Sequence, residues 1–159
     1  MFEMRRKEYE IHEKREIETI LNRAPVGRIG ASLQNRPYVV PINFVYHQGR
    51  IYFHSSNDGQ MHAYMEANNQ VCFEVDEVGE TVPNEDPCEF SFQYKSIIAF
   101  GKVRFLNDPA EKQTILARLV EKYDVGKVAR SPIPIEKLND VAVGEISIET
   151  ISGKKNPPA

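Results

Sequence analysis

RPYVVPINFVYHQGRIYFHSSNDGQM, residues Arg36 to Met61, is the stretch that decides how this chain of 159 residues folds. Tyr38, Val39, Val40, Ile42, Phe44, Val45 and Tyr46 are β-branched or aromatic, the side chains that suit a pleated sheet. Gln48-Gly49 then supplies a tight turn, and Arg50 to Phe53 returns as a second strand. The stretch reads as a β-hairpin that runs into a polar turn, His54-Ser55-Ser56-Asn57-Asp58-Gly59-Gln60. That turn gathers an imidazole, hydroxyls, amides and a glycine, the densest chemistry in the chain. Pro41 lacks a ladder donor, so its strand has either an edge or a bulge there. A bulge beside Asn43 would leave backbone groups free to meet a ligand.

Working outward, Glu13 to Arg23 places Ile17, Ile20 and Leu21 at helical spacing, and Ala24-Pro25 ends that helix. Val26 to Leu33 reads as a strand with small residues, turned by Gln34 to Pro37 into the hairpin. On the other side, His62 to Asn68 reads as a short helix. Its start offers unpaired N–H groups and a positive dipole end, which suit an anion such as phosphate. Gln70 to Glu77 alternates as a strand, Val78 to Gln93 reads as a long polar loop with two prolines, and Tyr94 to Leu106 as a long strand. Asp108 and Pro109 open a helix from Ala110 to Tyr123, and Val141 to Ile151 forms the last strand. Asp124 to Asp140 is read as irregular. About six strands, mostly adjacent in sequence, with short helices between them favour a mostly β, antiparallel barrel of the α+β class with helices at its rim.

Length favours one domain over residues 1–159, with 152–159 as a flexible tail. A formal net charge of −3 gives no general reason to expect nucleic acid. No apolar run approaches the roughly 18 residues of a membrane span, and Met1 to Lys14 is charged, without the apolar core of a signal. A cytoplasmic protein is expected. Cys72 and Cys88 fit no metal spacing and read as reduced thiols; Asp76-Glu77 and Glu85-Asp86 read as solvated carboxylates, so no metal is expected.

The segments YVVPINFVY, GRIYFHSS, VCFEVDE and YKSIIAFGKV, followed by a helix opened by DPAEK, together resemble the nitroimidazole-resistance proteins. These belong to the pyridoxamine 5′-phosphate oxidase-like, flavin-binding split-barrel superfamily. The resemblance implies a split barrel and a homodimer whose two flavin mononucleotide (FMN) sites lie at the subunit interface. It places Val39, Val40, Pro41, Ile42, Asn43 and Phe44 along the isoalloxazine ring. His54, Ser55 and Ser56 fall near the ring edge, ribityl chain and phosphate, with His54 as the candidate for proton transfer or substrate contact. At the positions of Gln60 and Met61 such proteins commonly hold a basic residue that grips the phosphate. Here neither is basic, a loss worth about 1.5–3 kcal/mol of binding. His62, the helix start, the serine hydroxyls, Lys95 with its neighbour Ser96, or a base from the partner are the substitutes, unless the ligand is another flavin or haem. The implied activity is electron transfer from NAD(P)H through the flavin to a small acceptor such as a nitro group. A non-catalytic carrier or sensor of a flavin is the rival.

Overall fold

The computed structural model describes residues 4–124, 126 and 133–156. Helix α1 (Lys14–Arg23) precedes strands β1 (Gly27–Leu33), β2 (Arg36–Ile42), β3 (Phe44–His47) and β4 (Arg50–Ser56). Helix α2 (Gln60–Ala67), strands β5 (Gln70–Val82) and β6 (Ser91–Phe105), helices α3 (Pro109–Tyr123) and α4 (Ile135–Leu138), and strand β7 (Val141–Asn156) follow. The strands form one antiparallel sheet in the order β2-β1-β5-β6-β7-β4-β3.

The fold is the expected split barrel, with seven strands instead of about six. The run from Arg36 to Tyr46 is two strands, not one. β2 pairs with β1, while β3 pairs with β4, at opposite edges of the sheet. Only Asn43 separates them, so the sheet curls until its two edges meet at that residue and remains open there. Pro41 thus sits on an edge strand, where its missing donor leaves no gap in a ladder.

Both turns flanking these strands are two-residue hairpin turns with left-handed backbone, Gln34-Asn35 (φ 50° and 62°) and Gln48-Gly49 (φ 50° and 78°). Period-2 alternation sends Ile29, Ile42, Phe44, Ile51, Phe53, Phe73, Val75 and Ile97 inward, where α1 and α2 close the core with Ile20, Leu21, Tyr64 and Met65. A second cluster lies on the other side of the sheet, where Tyr52 and Val143 meet Leu116 and Leu119 of α3 and Leu138 of α4.

Three local expectations fail. The polar loop from Val78 to Gln93 is mostly ladder: β5 and β6 stay paired to Val82 and Ser91, with one irregularity between Val78 and Thr81. The tail from Ser152 to Asn156 is strand, paired residue by residue with Ile98 back to Tyr94. The segment from Asp124 to Asp140 read as irregular holds the short helix α4, entered from Pro134; its residues 125 and 127–132, like 157–159, lie outside the described residues.

Candidate functional site

Consecutive residues on a strand point to opposite faces, and this divides the residues singled out from the sequence. On β4, Ser55 shares the inward side of Phe53, whereas His54 and Ser56 share the side of Tyr52 and are exposed. On β6, Lys95 lies on the side of α1 and Ser96 on the outer face. On β2, Val39 and Pro41 are exposed, Val40 is half-buried and Ile42 is buried; Asn43 at the corner is exposed and Phe44 has no exposed surface.

Ser55 and His62 form the first group. The Ser55 Oγ and the His62 Nδ1 are buried and have no hydrogen-bond partner among the described residues. The imidazole of His62 lies against the Phe105 ring, 4.0 Å between centroids, and its Nε2 is 3.2 Å from the Glu66 carboxylate one helical turn on. A carboxylate at Nε2 favours the proton there, which leaves Nδ1 as an acceptor in the neutral ring. Helix α2 begins at Gly59 without a side-chain cap, so the N–H groups at its start are unused within the helix. Gln60 is exposed at this start. Met61 is 8% exposed and packs in the main core, so this position contributes its backbone and not a side chain.

The second group is the β2 edge. One side of β2 has no strand beside it, so the N–H and C=O groups that point away from β1 are available between Val39 and the corner at Asn43, Pro41 having no N–H to offer. Phe44 is different. Its N–H donates to the Tyr123 hydroxyl (3.0 Å), which lies 2.8 Å from the Pro25 carbonyl and 3.1 Å from that of Phe44. The last turn of α3 therefore holds the corner where the sheet edges meet. The neighbouring Lys122 places its Nζ 3.7 Å from the centre of the Phe44 ring, buried and without a hydrogen-bond acceptor among the described residues, and burial pushes its pKa down to about 8. Nothing in the sequence beyond a helical pattern marked Tyr123 or Lys122.

Lys95 is committed elsewhere. Its Nζ is 2.7 Å from Glu16 of α1, which Lys155 also reaches at 3.1 Å; these two lysines hold the Glu16 carboxyl below its usual range. Ser96 lines a groove of about 590 Å³ on the outer face, with Ile98, Phe100, Thr150 and Lys154. The two groups adjoin at one place: the Tyr38 ring of β2 packs on Tyr64 of α2, 5.1 Å between centroids.

The sequence profile of the pyridoxamine 5′-phosphate oxidase family matches residues 13–155. No curated protein matches the chain in sequence. Among solved structures, a candidate 5-nitroimidazole antibiotic resistance protein from Bacteroides thetaiotaomicron is 27% identical, with a TM-score of 0.78 over 92% of this chain and 86% of that one. A flavocytochrome from Azotobacter vinelandii superposes with a TM-score of 0.88 at 21% identity, covering 98% of this chain and 73% of the other. An FAD- and haem-binding protein from Mycobacterium smegmatis gives 0.86 at 18% identity, covering 94% and 74%. At such identities the last two speak for the fold.

Proposed function

The chain belongs to the pyridoxamine 5′-phosphate oxidase family, and from that premise we propose that it binds a flavin between two copies of itself and acts as a flavin-dependent oxidoreductase resembling the nitroimidazole reductases. The observation that carries the reading is the pair of orphaned polar atoms, Ser55 Oγ near the end of β4 and His62 Nδ1 in the first turn of the uncapped α2. Buried polar atoms without partners are rare in native folds; His62 lies in the first turn of α2, where the chain also leaves backbone donors unused, and Ser55 lies on the strand that leads towards it.

These groups fit a flavin held through neutral contacts. Nδ1 of a neutral His62 accepts from a ribityl hydroxyl; the Ser55 hydroxyl donates or accepts; the N–H groups of Gln60, Met61 and His62 face an anion. The edge backbone of β2, from Val39 to Asn43, offers donors and acceptors to a flat heterocycle, and Val39 and Pro41 offer it apolar contact. His54, exposed on the other side of β4, is positioned to exchange protons with solvent or with a molecule on that side. When bound, the flavin supplies hydride acceptance from NAD(P)H and electron delivery to a small acceptor.

FMN is the expected cofactor, yet the contacts at α2 are uncharged. Met61 is turned into the core and Lys95 is held by Glu16, so neither brings a cation to a phosphate. That observation favours a second reading, a non-catalytic carrier or sensor, or a flavin other than FMN. Candidate 5-nitroimidazole resistance in the Bacteroides relative and the FAD and haem named for the mycobacterial one are consistent with either. The expected location is the cytoplasm; among the described residues no helix is long and apolar enough to cross a membrane.

Purified protein is expected to be yellow and to lose that colour anaerobically with NADPH or NADH. Ser55→Ala and His62→Leu are expected to weaken flavin binding without unfolding the chain. A colourless protein that takes up neither FMN nor FAD on titration would refute the flavin reading. Bound flavin that neither nicotinamide reduces would leave the carrier.

A further inference from the structure

We propose that the cleft between the last turn of α1 and the β5–β6–β7 ladder binds a small organic carboxylate, its charged group held against the ammoniums of Lys95 and Lys155. The cleft has a volume of about 570 Å³, the size of a small-molecule site and far more than a bare ion fills. It is not the α2 site. Lys95 and Phe105, the residue packed on His62, are about 33 Å apart along β6 at the rise of a strand.

Register builds the floor. Glu77 of β5, Lys95 of β6 and Lys155 of β7 stand side by side across the ladder, on the face that α1 covers. From α1, the Glu16 carboxylate lies 2.7 Å from the Lys95 Nζ and 3.1 Å from that of Lys155, and Arg23 forks onto Glu77. The carboxylates sit behind the cations. Glu16 and Glu77 are 24% and 21% exposed, against 41%, 42% and 68% for Lys95, Lys155 and Arg23. Three cations against two carboxylates leave one positive charge, which a single carboxylate balances and a phosphate dianion exceeds. Glu80, the next acid along β5, is exposed and does not line the cleft.

The unused groups are mostly donors. An ammonium carries three N–H bonds and a guanidinium five. Among the described residues each lysine uses one on Glu16, and Arg23 uses two on Glu77. All three side chains line the cleft. Gln93 adds an amide with no side-chain hydrogen bond among the described residues. It lies over Gly79, where a Cβ would fall 3.0 Å from the Gln93 Cβ and 3.2 Å from its Oε1.

The ladder itself is open here. Val78 pairs with Tyr94 and Thr81 with Phe92, so Gly79 and Glu80 stand opposite Gln93 alone. Such a bulge leaves backbone groups unpaired, and Gly79 brings them to the cleft wall. Ion pairs on a convex surface are hydrated from all sides and ask for no ligand. Here donors from α1, β6 and β7, an untied amide and an open stretch of backbone border one concave space. The two lysines already grip one carboxylate, that of Glu16, so they offer a ligand the geometry they show with a side chain of their own chain.

Acetate, benzoate and succinate are titrated into the full chain at low ionic strength, with benzamide as the uncharged control and inorganic phosphate as the rival anion. The backbone amide shifts of Gly79, Gln93 and Asn156 report on the cleft. At least one carboxylate is expected to move them saturably, and benzamide is not. Lys95→Met and Lys155→Met should each weaken that binding about tenfold, as loss of a charge-assisted hydrogen bond does, while Lys155→Arg retains it. Glu16→Gln should tighten it about fivefold by removing the carboxylate that shares both ammoniums. Gln93→Leu, which touches no charge, should weaken it severalfold and serves if a lysine variant fails to fold. Cleft amides that no carboxylate moves, or that benzamide moves equally, overturn the site. Phosphate binding more tightly than every carboxylate overturns the assigned class. Carboxylate binding that neither methionine variant weakens overturns the role of the lysines. Each of these failures leaves the flavin reading standing.

Discussion

Lys122→Met tests the corner where the two sheet edges meet. The wild-type ammonium is buried over the Phe44 ring with no acceptor among the described residues, and burial lowers its pKa from 10.5 to about 8. A shift of that size corresponds to about 3 kcal/mol held against the charged form in the folded state. The aromatic face returns about 1–2 kcal/mol by attracting the cation. The net penalty at pH 7 is therefore about 1–2 kcal/mol. Methionine has a similar unbranched stem, keeps contact with the ring and carries no charge, so the variant should be more stable than wild type by that amount at pH 7. The pH dependence has a definite sign. The folded pKa lies below the unfolded one, so the unfolded chain binds more protons over a window that closes near pH 10.5 and whose lower limit the ring's attraction raises above about 8, and wild-type stability rises with pH across it. Urea unfolding of both proteins at pH 7 and pH 9.5 should show the gap closing on the alkaline side. Burial raises the pKa of Tyr123, so its titration lowers stability only above its ordinary range, and it acts on both proteins alike. A variant less stable than wild type at pH 7, or a gap that is the same at both pH values, would refute the unpaired-amine account.

Tyr123→Phe leaves the Phe44 N–H without its acceptor and should cost about 1–3 kcal/mol in urea unfolding, with faster hydrogen exchange at the Phe44 amide. Glu145, 2% exposed, has its carboxyl raised by burial but pulled below the usual range by Arg104, Tyr52 and Arg50, which outweigh it. Glu145→Gln should lose about 3 kcal/mol at pH 7, and the difference from wild type should shrink as the pH falls through the lowered folded pKa. Gly101 lies where β6 slips register against β7, and a Cβ there would fall 2.2 Å from the Ser147 carbonyl oxygen, so Gly101→Ala should lower the thermal midpoint markedly.

Much of this architecture is written locally. Gln48-Gly49 takes the turn its residues suit, and Asp108 caps α3 through the N–H of Ala110 with Pro109 behind it. What local pattern cannot carry is pairing at a distance. Ser152 to Asn156 looks loose in isolation, yet β6 offers a free ladder edge and the backbone takes it. The hairpin from Val78 to Gln93 is held by the same means, and its acids and Pro83 reveal nothing of it because its side chains are mostly in solvent. The break at Asn43 is equally silent: β-rich residues continue on both sides, and only sheet closure decides that Ile42 and Phe44 pair at opposite edges.

The residues singled out from the sequence do not share one surface, and strand geometry explains why. His54 and Ser55, Lys95 and Ser96, and Val39 and Val40 are each neighbours in sequence, and each pair faces two ways. A ligand that touches both members of such a pair must do so through the backbone of one of them. The β2 edge meets this condition because its outer N–H and C=O groups are unpaired, and the Tyr38–Tyr64 contact sets that edge beside α2. A long ligand lying along β2 could thus use edge backbone and the apolar side chains of Val39 and Pro41 at one end. At the other it would meet the free amides of α2, Ser55 and the His62 Nδ1. That arrangement asks for a molecule with a flat head and a polar, hydroxylated stem, and neither Met61 nor Lys95 brings a cation to the end of that stem.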